Sequence, residues 1–134
     1  MAKPAMDGLN DRRRTTNDVL IVPLTDKFGR PITDLRISIT DRCNYRCVYC
    51  RTGNEGALYG DLPFDDYLRM ARVLVGMGVT KIRLTGGEPL LRKGVVDFVR
   101  NLAQLCTPNN GHGEPLDIAL TTNGHLLADL AQPL

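Results

Sequence analysis

Three short segments of this 134-residue chain repeat one pattern, which restricts the possible fold more than any other feature of the sequence. Leu35-Arg36-Ile37-Ser38-Ile39, Lys81-Ile82-Arg83-Leu84-Thr85 and Asp117-Ile118-Ala119-Leu120-Thr121 alternate apolar side chains with polar or small ones. Such period-two alternation belongs to strands with two unlike faces. The segments start 46 and 36 residues apart, and helical stretches fill the intervals. The first runs from Pro63 to about Val75. Asp65 and Asp66 lie in its opening turn, where carboxylates suit the helix dipole, and it stops near Gly76 and Gly78. The second runs from about Gly94 to Leu105, with Val95, Val99, Leu102 and Cys106 as its apolar stripe, and a third begins near Leu126. Strands alternating with helices predict an α/β fold of parallel strands joined by right-handed crossovers.

The two faces of these strands differ in a way that bears on function. Leu35, Ile37, Ile39, Ile82, Leu84, Ile118 and Leu120 form the face that belongs under the helices. The opposite face carries Arg36, Ser38, Lys81, Arg83, Thr85, Asp117, Ala119 and Thr121. Parallel sheets are usually covered on both sides, and barrel interiors are packed with Val, Ile and Leu. A polar face therefore has two explanations, a lumen that holds a polar ligand or an open sheet that meets solvent, and alternation by itself allows either. In the first case Arg36 and Arg83 suit an anionic group such as phosphate, whose oxygens match the guanidinium fork.

Bulk composition adds exclusions. Seventeen Lys and Arg against fifteen Asp and Glu give a net charge of +2, far from the basic balance of a nucleic-acid binder. No apolar run approaches the roughly 18 residues of a membrane span, so the expectation is a cytoplasmic protein without membrane contact. Residues 1–20 are polar and include Arg12-Arg13-Arg14, which reads as a mobile, solvated tail, and residues 21–134 read as the folded part.

Of four cysteines, three crowd into Cys43-Asn44-Tyr45-Arg46-Cys47-Val48-Tyr49-Cys50, directly after the first strand. Loops at the C-terminal ends of parallel strands are where such sheets keep their active sites. The uneven spacing departs from the paired knuckles of structural zinc, and no second knuckle follows. A cubane iron–sulfur cluster takes one thiolate per iron, so three local cysteines would leave one iron open for chemistry. Zinc would need Cys106, His112 or His125 as a fourth ligand. Cys106 reads instead as a core thiol on the helix stripe, and the two histidines as surface imidazoles.

Cys-x3-Cys-x2-Cys with aromatic Tyr49 before its last cysteine, joined by Thr85-Gly86-Gly87-Glu88-Pro89 after the second strand, resembles the signature of the radical S-adenosylmethionine superfamily. Gly29-Arg30-Pro31, Asp34-Leu35-Arg36, Thr40-Asp41-Arg42-Cys43-Asn44 and Thr121-Thr122-Asn123-Gly124 narrow the resemblance to the GTP 3′,8-cyclase family of molybdenum cofactor biosynthesis. The resemblance implies a partial (βα)6 barrel similar to a TIM barrel, of which about three units are present, as the N-terminal half of a longer core. It implies a [4Fe-4S] cluster on Cys43, Cys47 and Cys50 whose open iron chelates S-adenosylmethionine, with Tyr49, Gly86 and Gly87 at that cofactor and Arg36, Arg83 and Thr121 at GTP. Reductive cleavage of S-adenosylmethionine would give a 5′-deoxyadenosyl radical that converts GTP to 3′,8-cyclo-7,8-dihydro-GTP. It further implies an electron donor, a second [4Fe-4S] cluster from a C-terminal part, a downstream cyclic pyranopterin monophosphate synthase, and room for a homodimer. A fragment of this kind is expected to be inactive alone. Two departures stand out: Arg51-Thr52-Gly53 where many family members have a Met-Pro or Leu-Pro pair, and Pro63 where a Ser or Thr cap is usual. The competing readings are another radical S-adenosylmethionine enzyme, such as a peptide-modifying one, and a non-catalytic zinc module.

Overall fold

The computed structural model describes residues 23–50, 59–107 and 113–134. The Arg12-Arg13-Arg14 tail, Arg51-Thr52-Gly53 and His112 lie outside the described residues. Three parallel strands form the main sheet in the order β1 (Asp34–Ser38), β2 (Lys81–Thr85), β5 (Asp117–Leu120). Between β1 and β2 runs helix α1 (Phe64–Gly76), and after β2 a short 3-10 turn (Pro89–Leu91) leads to α2 (Val95–Ala103). A two-residue antiparallel pair, β3 (Cys106–Thr107) with β4 (Glu114–Pro115), precedes β5, and α3 (Leu127–Leu130) follows it.

The register aligns like with like. Leu35, Ile82 and Ile118 lie abreast, as do Ile37, Leu84 and Leu120, while Arg36, Arg83 and Ala119 share a row on the other face. The apolar rows enter a core completed by Leu68, Ala71 and Val75 of α1 and by Val95, Phe98 and Leu102 of α2. Phe98 is almost wholly buried, and its ring stacks on Phe64 with centroids 4.4 Å apart. Burial of this kind is the main force holding the helices on the sheet.

Helix α1 begins where the sequence places it, with Pro63 in the cap position and no side chain closing that end. Its far end follows from the glycines: the helix stops at Gly76, and Gly78 turns the chain with φ 104°, a conformation that side chains with a Cβ resist.

The second helix departs from the sequence reading. It ends at Ala103 rather than Leu105, and Cys106 is the first residue of β3, paired with Pro115. Cys106 is therefore not on the helix stripe. The innermost residues of that stripe are Val95, Phe98 and Leu102, with Val99 half-buried beside them. The i, i+4 spacing was real, but β3–β4 pairing takes the chain away after Leu105.

Candidate functional site

The sheet ladder does not stop at its strand ends. Beyond β1 and β2, Ile39 N–H donates to Thr85 O at 3.0 Å, Gly87 N–H to Thr40 O at 2.8 Å and Glu88 N–H to Arg42 O at 2.8 Å. The loop carrying the cysteines is thus zipped to the Gly86-Gly87-Glu88 loop up to the residue before Cys43. Glycine is what permits this closeness. A Cβ on Gly86 would lie 2.3 Å from Thr40 O, and one on Gly87 would lie 2.3 Å from Arg42 O. Both contacts are with backbone, which cannot rotate aside, and Gly86 adds a φ of 154°. Loop packing is thus a requirement on these glycines that the sequence reading did not contain, in addition to any approach of a ligand.

Within the cysteine loop, Cys50 N–H donates to Cys47 O at 3.0 Å, a turn that follows from the two-residue spacing. Cys43, Cys47 and Cys50 are free thiols, each half-buried. All three line one cavity with Tyr49, Gly86, Gly87 and Thr121. Tyr49 is largely exposed, and the Cys47 sulfur beside it, by hydrogen bond and by charge, raises the pKa of its phenol above the ordinary value. The cavity holds about 230 Å3, below the roughly 300–1,000 Å3 typical of ligand pockets.

The donor set on this cavity, three thiols, fits an iron–sulfur cluster. A cluster takes one thiolate on each iron, so its ligands surround a volume instead of meeting at a point. Thiolates are also the ligand type that iron–sulfur chemistry selects.

Arg36 and Arg83 are direct neighbours across β1 and β2 on the polar face, Arg36 exposed and Arg83 half-buried. Thr121, also exposed, extends the ladder past β5 by donating its N–H to Leu84 O at 2.9 Å. At the other end of this face Lys81 and Asp117 pair at 2.8 Å, whereas among the described residues neither Arg36 nor Arg83 has an ion-pair partner. His125 is exposed, as the sequence suggested, but it is not solitary: its Nδ1 lies 3.5 Å from the hydroxyl of Tyr45 in the cysteine loop.

Two residues stand at the centre without a role in the sequence reading: Glu88, quoted there only as part of the Gly-Gly-Glu-Pro run, and Arg92, which it did not single out. Glu88 is fully buried, and its carboxylate accepts from Leu90 N–H at 2.9 Å, Thr122 Oγ1 at 2.8 Å and Asn123 N–H at 2.6 Å. Arg92 lies over the Phe64 ring, 3.8 Å from its centroid, and donates to Ile39 O and Leu62 O. Glutamate and arginine are ordinarily surface residues, so type and spacing alone gave no sign of these ties. The position of Glu88 within Gly-Gly-Glu-Pro was the one available hint.

A parallel α/β sheet with a three-cysteine loop at the C-terminal end of its first strand and a Gly-Gly-Glu loop at the end of the next defines a metal-dependent class of enzyme folds. Residues 37–134 match the family model described as Radical SAM superfamily, and the chain belongs to that superfamily. Among individual proteins, it is 48% identical over 115 residues to a GTP 3′,8-cyclase of Geobacter sulfurreducens, an alignment covering 83% of this chain and 33% of that protein. The corresponding enzyme of Staphylococcus saprophyticus is 45% identical over 125 residues, covering 86% and 34%, and that of Acidothermus cellulolyticus 48% over 119 residues, covering 84% and 31%. The chain thus spans about a third of the length of the relatives it matches. Membership in the superfamily implies a [4Fe-4S] cluster and S-adenosylmethionine as cofactors. Among the described residues, no helix is long and apolar enough to cross a membrane.

Proposed function

We propose that this chain is the cofactor-binding and part of the substrate-binding wall of a GTP 3′,8-cyclase, the first enzyme of molybdenum cofactor biosynthesis. Residues 21–134 would be the N-terminal part of a six-unit partial barrel, contributing about three strand–helix units. Cys43, Cys47 and Cys50 would each ligate one iron of the cluster and leave the fourth open. Tyr49, Gly86 and Gly87 would border S-adenosylmethionine at that iron. When bound, the cluster and S-adenosylmethionine supply a 5′-deoxyadenosyl radical as hydrogen acceptor.

The residues of this chain bind and orient. Arg36 and Arg83 would grip the anionic part of GTP, and Thr121 would hold it from the third strand. The observation that carries this reading is the Arg36–Arg83 pair. Two like charges side by side on adjacent strands repel one another, and no carboxylate among the described residues offsets them. A bound polyanion removes that repulsion, and guanidinium forks match its oxygens. The cysteines and Gly-Gly loop are expected in any member of the superfamily, whereas this arginine pair and the names of the relatives favour the cyclase over a peptide-modifying enzyme. An electron donor, a second cluster from a C-terminal part and a synthase that consumes the cyclised nucleotide complete the proposal.

The test is a GTP titration of the full-length protein. Arg83→Ala should weaken GTP binding by roughly 10-fold to 100-fold, the effect of losing a charge-assisted contact. S-adenosylmethionine cleavage without substrate should stay near the wild-type rate. Unchanged GTP affinity would remove GTP from this site. Metal analysis runs alongside: iron with acid-labile sulfide, lost in Cys47→Ser, is the expected result, and stoichiometric zinc the opposing one.

A further inference from the structure

The loop after β5 does more than border the cavity. Asn123 commits both ends of its side-chain amide and its backbone N–H. The N–H donates to Glu88 Oε2 at 2.6 Å, Oδ1 accepts from His125 N–H at 3.0 Å, and Nδ2 donates to Asn44 Oδ1 at 2.8 Å. The same Nδ2 lies 4.0 Å from Cys43 Sγ, and the Tyr45 N–H points at that sulfur from 3.4 Å on its own loop. Only a carboxamide serves here, because the position needs an acceptor toward His125 and a donor toward Asn44 and Cys43, and a carboxylate of the same shape only accepts.

This amide is held at its root. Glu88 is fully buried and gathers Leu90, Thr122 and Asn123 with its two oxygens, so the loop after β5 is fixed to the loop after β2. The Asn123 side chain then reaches the loop after β1. A hydrogen-bonded chain therefore runs from a buried carboxylate, through one carboxamide, to the first thiol of the cysteine triplet. N–H groups aimed at a ligating sulfur withdraw electron density from it and raise the reduction potential of a cluster, and partners of this kind also hold the ligand in place.

We infer that Asn123 is a positioning residue for the iron–sulfur centre: its carboxamide orients the Cys43 loop and tunes the potential at which the cluster takes up an electron. The inference rests on the cluster reading of Cys43, Cys47 and Cys50. It is tested on full-length protein reconstituted anaerobically with iron and sulfide, as wild type, Asn123→Asp and Asn44→Ala. The measurements are iron and sulfide per chain, the midpoint potential of the cluster whose paramagnetic signal changes on adding S-adenosylmethionine, and its rate of loss to a chelator.

Asn123→Asp replaces the donor by a negative acceptor and should move the midpoint to more negative values. Asn44→Ala changes an exposed residue, so the chain should fold, and iron should leave roughly 10-fold faster because the tie to the loop is gone. An unshifted midpoint in Asn123→Asp at full iron content overturns the inference. If that variant does not fold, an unchanged chelation rate in Asn44→Ala overturns it equally. A wild-type protein that takes up no iron and sulfide overturns the cluster reading and this inference with it. A cluster present in wild type and indifferent to both substitutions overturns this inference alone.

Discussion

One methyl group measures how tightly the two loops meet at the candidate site. A Cβ on Gly87 would lie 2.3 Å from Arg42 O, 2.6 Å from Arg42 C and 2.8 Å from Asp41 O. All three are backbone atoms, so relief requires the loops to separate, breaking the bonds from Gly87 N–H to Thr40 O and from Glu88 N–H to Arg42 O. Gly87→Ala should lower stability by about 3 kcal/mol, the upper range for overpacking. It should also reduce cluster uptake, because Cys43 follows Arg42 directly. Gly60→Ala is the matched control. A Cβ there meets nothing within 4 Å, and the change should stay within about 0.5 kcal/mol. Urea unfolding of the two variants decides the matter, and equal midpoints would show that the loops are free to part.

At the scale of elements, the approach to β1 depends on a single carboxylate. Residues 24–32 form a hairpin closed by Ile32 N–H to Leu24 O at 2.8 Å and Asp26 N–H to Arg30 O at 2.9 Å, and it docks on the end of α1 through Leu24 N–H to Met77 O at 3.1 Å. Asp26 accepts from Phe28 N–H at 2.8 Å, Arg30 N–H at 3.0 Å and Arg30 Nε at 2.7 Å. The Arg30 backbone bond leads in holding its pKa below the ordinary carboxylate range; the Arg30 side chain and Phe28 N–H add to this, while partial burial works the other way. A group whose folded pKa is depressed stabilises fully above its unfolded value and loses that contribution as pH falls through the folded one. The hairpin should therefore persist through pH 5 and loosen only below about pH 4. The amide shifts of Phe28 and Arg30 in a pH titration would report it, and Asp26→Asn should abolish the transition. A midpoint at or above the ordinary value would contradict the assignment. The sequence displayed the parallel strands because each apolar row, such as Ile37, Leu84 and Leu120, enters one core and so keeps its period. It hid β3 and β4, since two-residue strands have no period, and so misplaced Cys106. The crowding of three cysteines and the Gly-Gly pair stood out in the sequence because few residue types serve such positions, but the loop-to-loop packing that Gly86 and Gly87 permit did not. Nor did Asn123 and Arg92, because their roles exist only once loops distant in sequence are brought together.

At the scale of the whole molecule, the proposed nucleotide site faces solvent across the polar side of the sheet. On the polar face Arg36, Ser38 and Thr121 are exposed, so a nucleotide bound there would meet protein from one side and water from the other. In water an arginine–phosphate contact contributes little, because the high dielectric weakens it several-fold relative to an enclosed site. Among the described residues, no strand pairs with the outer edge of β1 or β5, and open edges of this kind invite association between chains. Val48 and Tyr49 in the cysteine loop are exposed as well. Catalysis by positioning requires reacting atoms held close and water kept out. Supplied as the isolated 134-residue polypeptide with iron, sulfide, S-adenosylmethionine and a reductant, this chain should therefore yield no 3′,8-cyclised nucleotide from GTP. Mass spectrometry of the nucleotide pool measures this directly. Cyclised product from the fragment would mean that Arg36, Arg83 and Thr121 suffice to hold GTP without an opposing wall, and that enclosure of the nucleotide is not required.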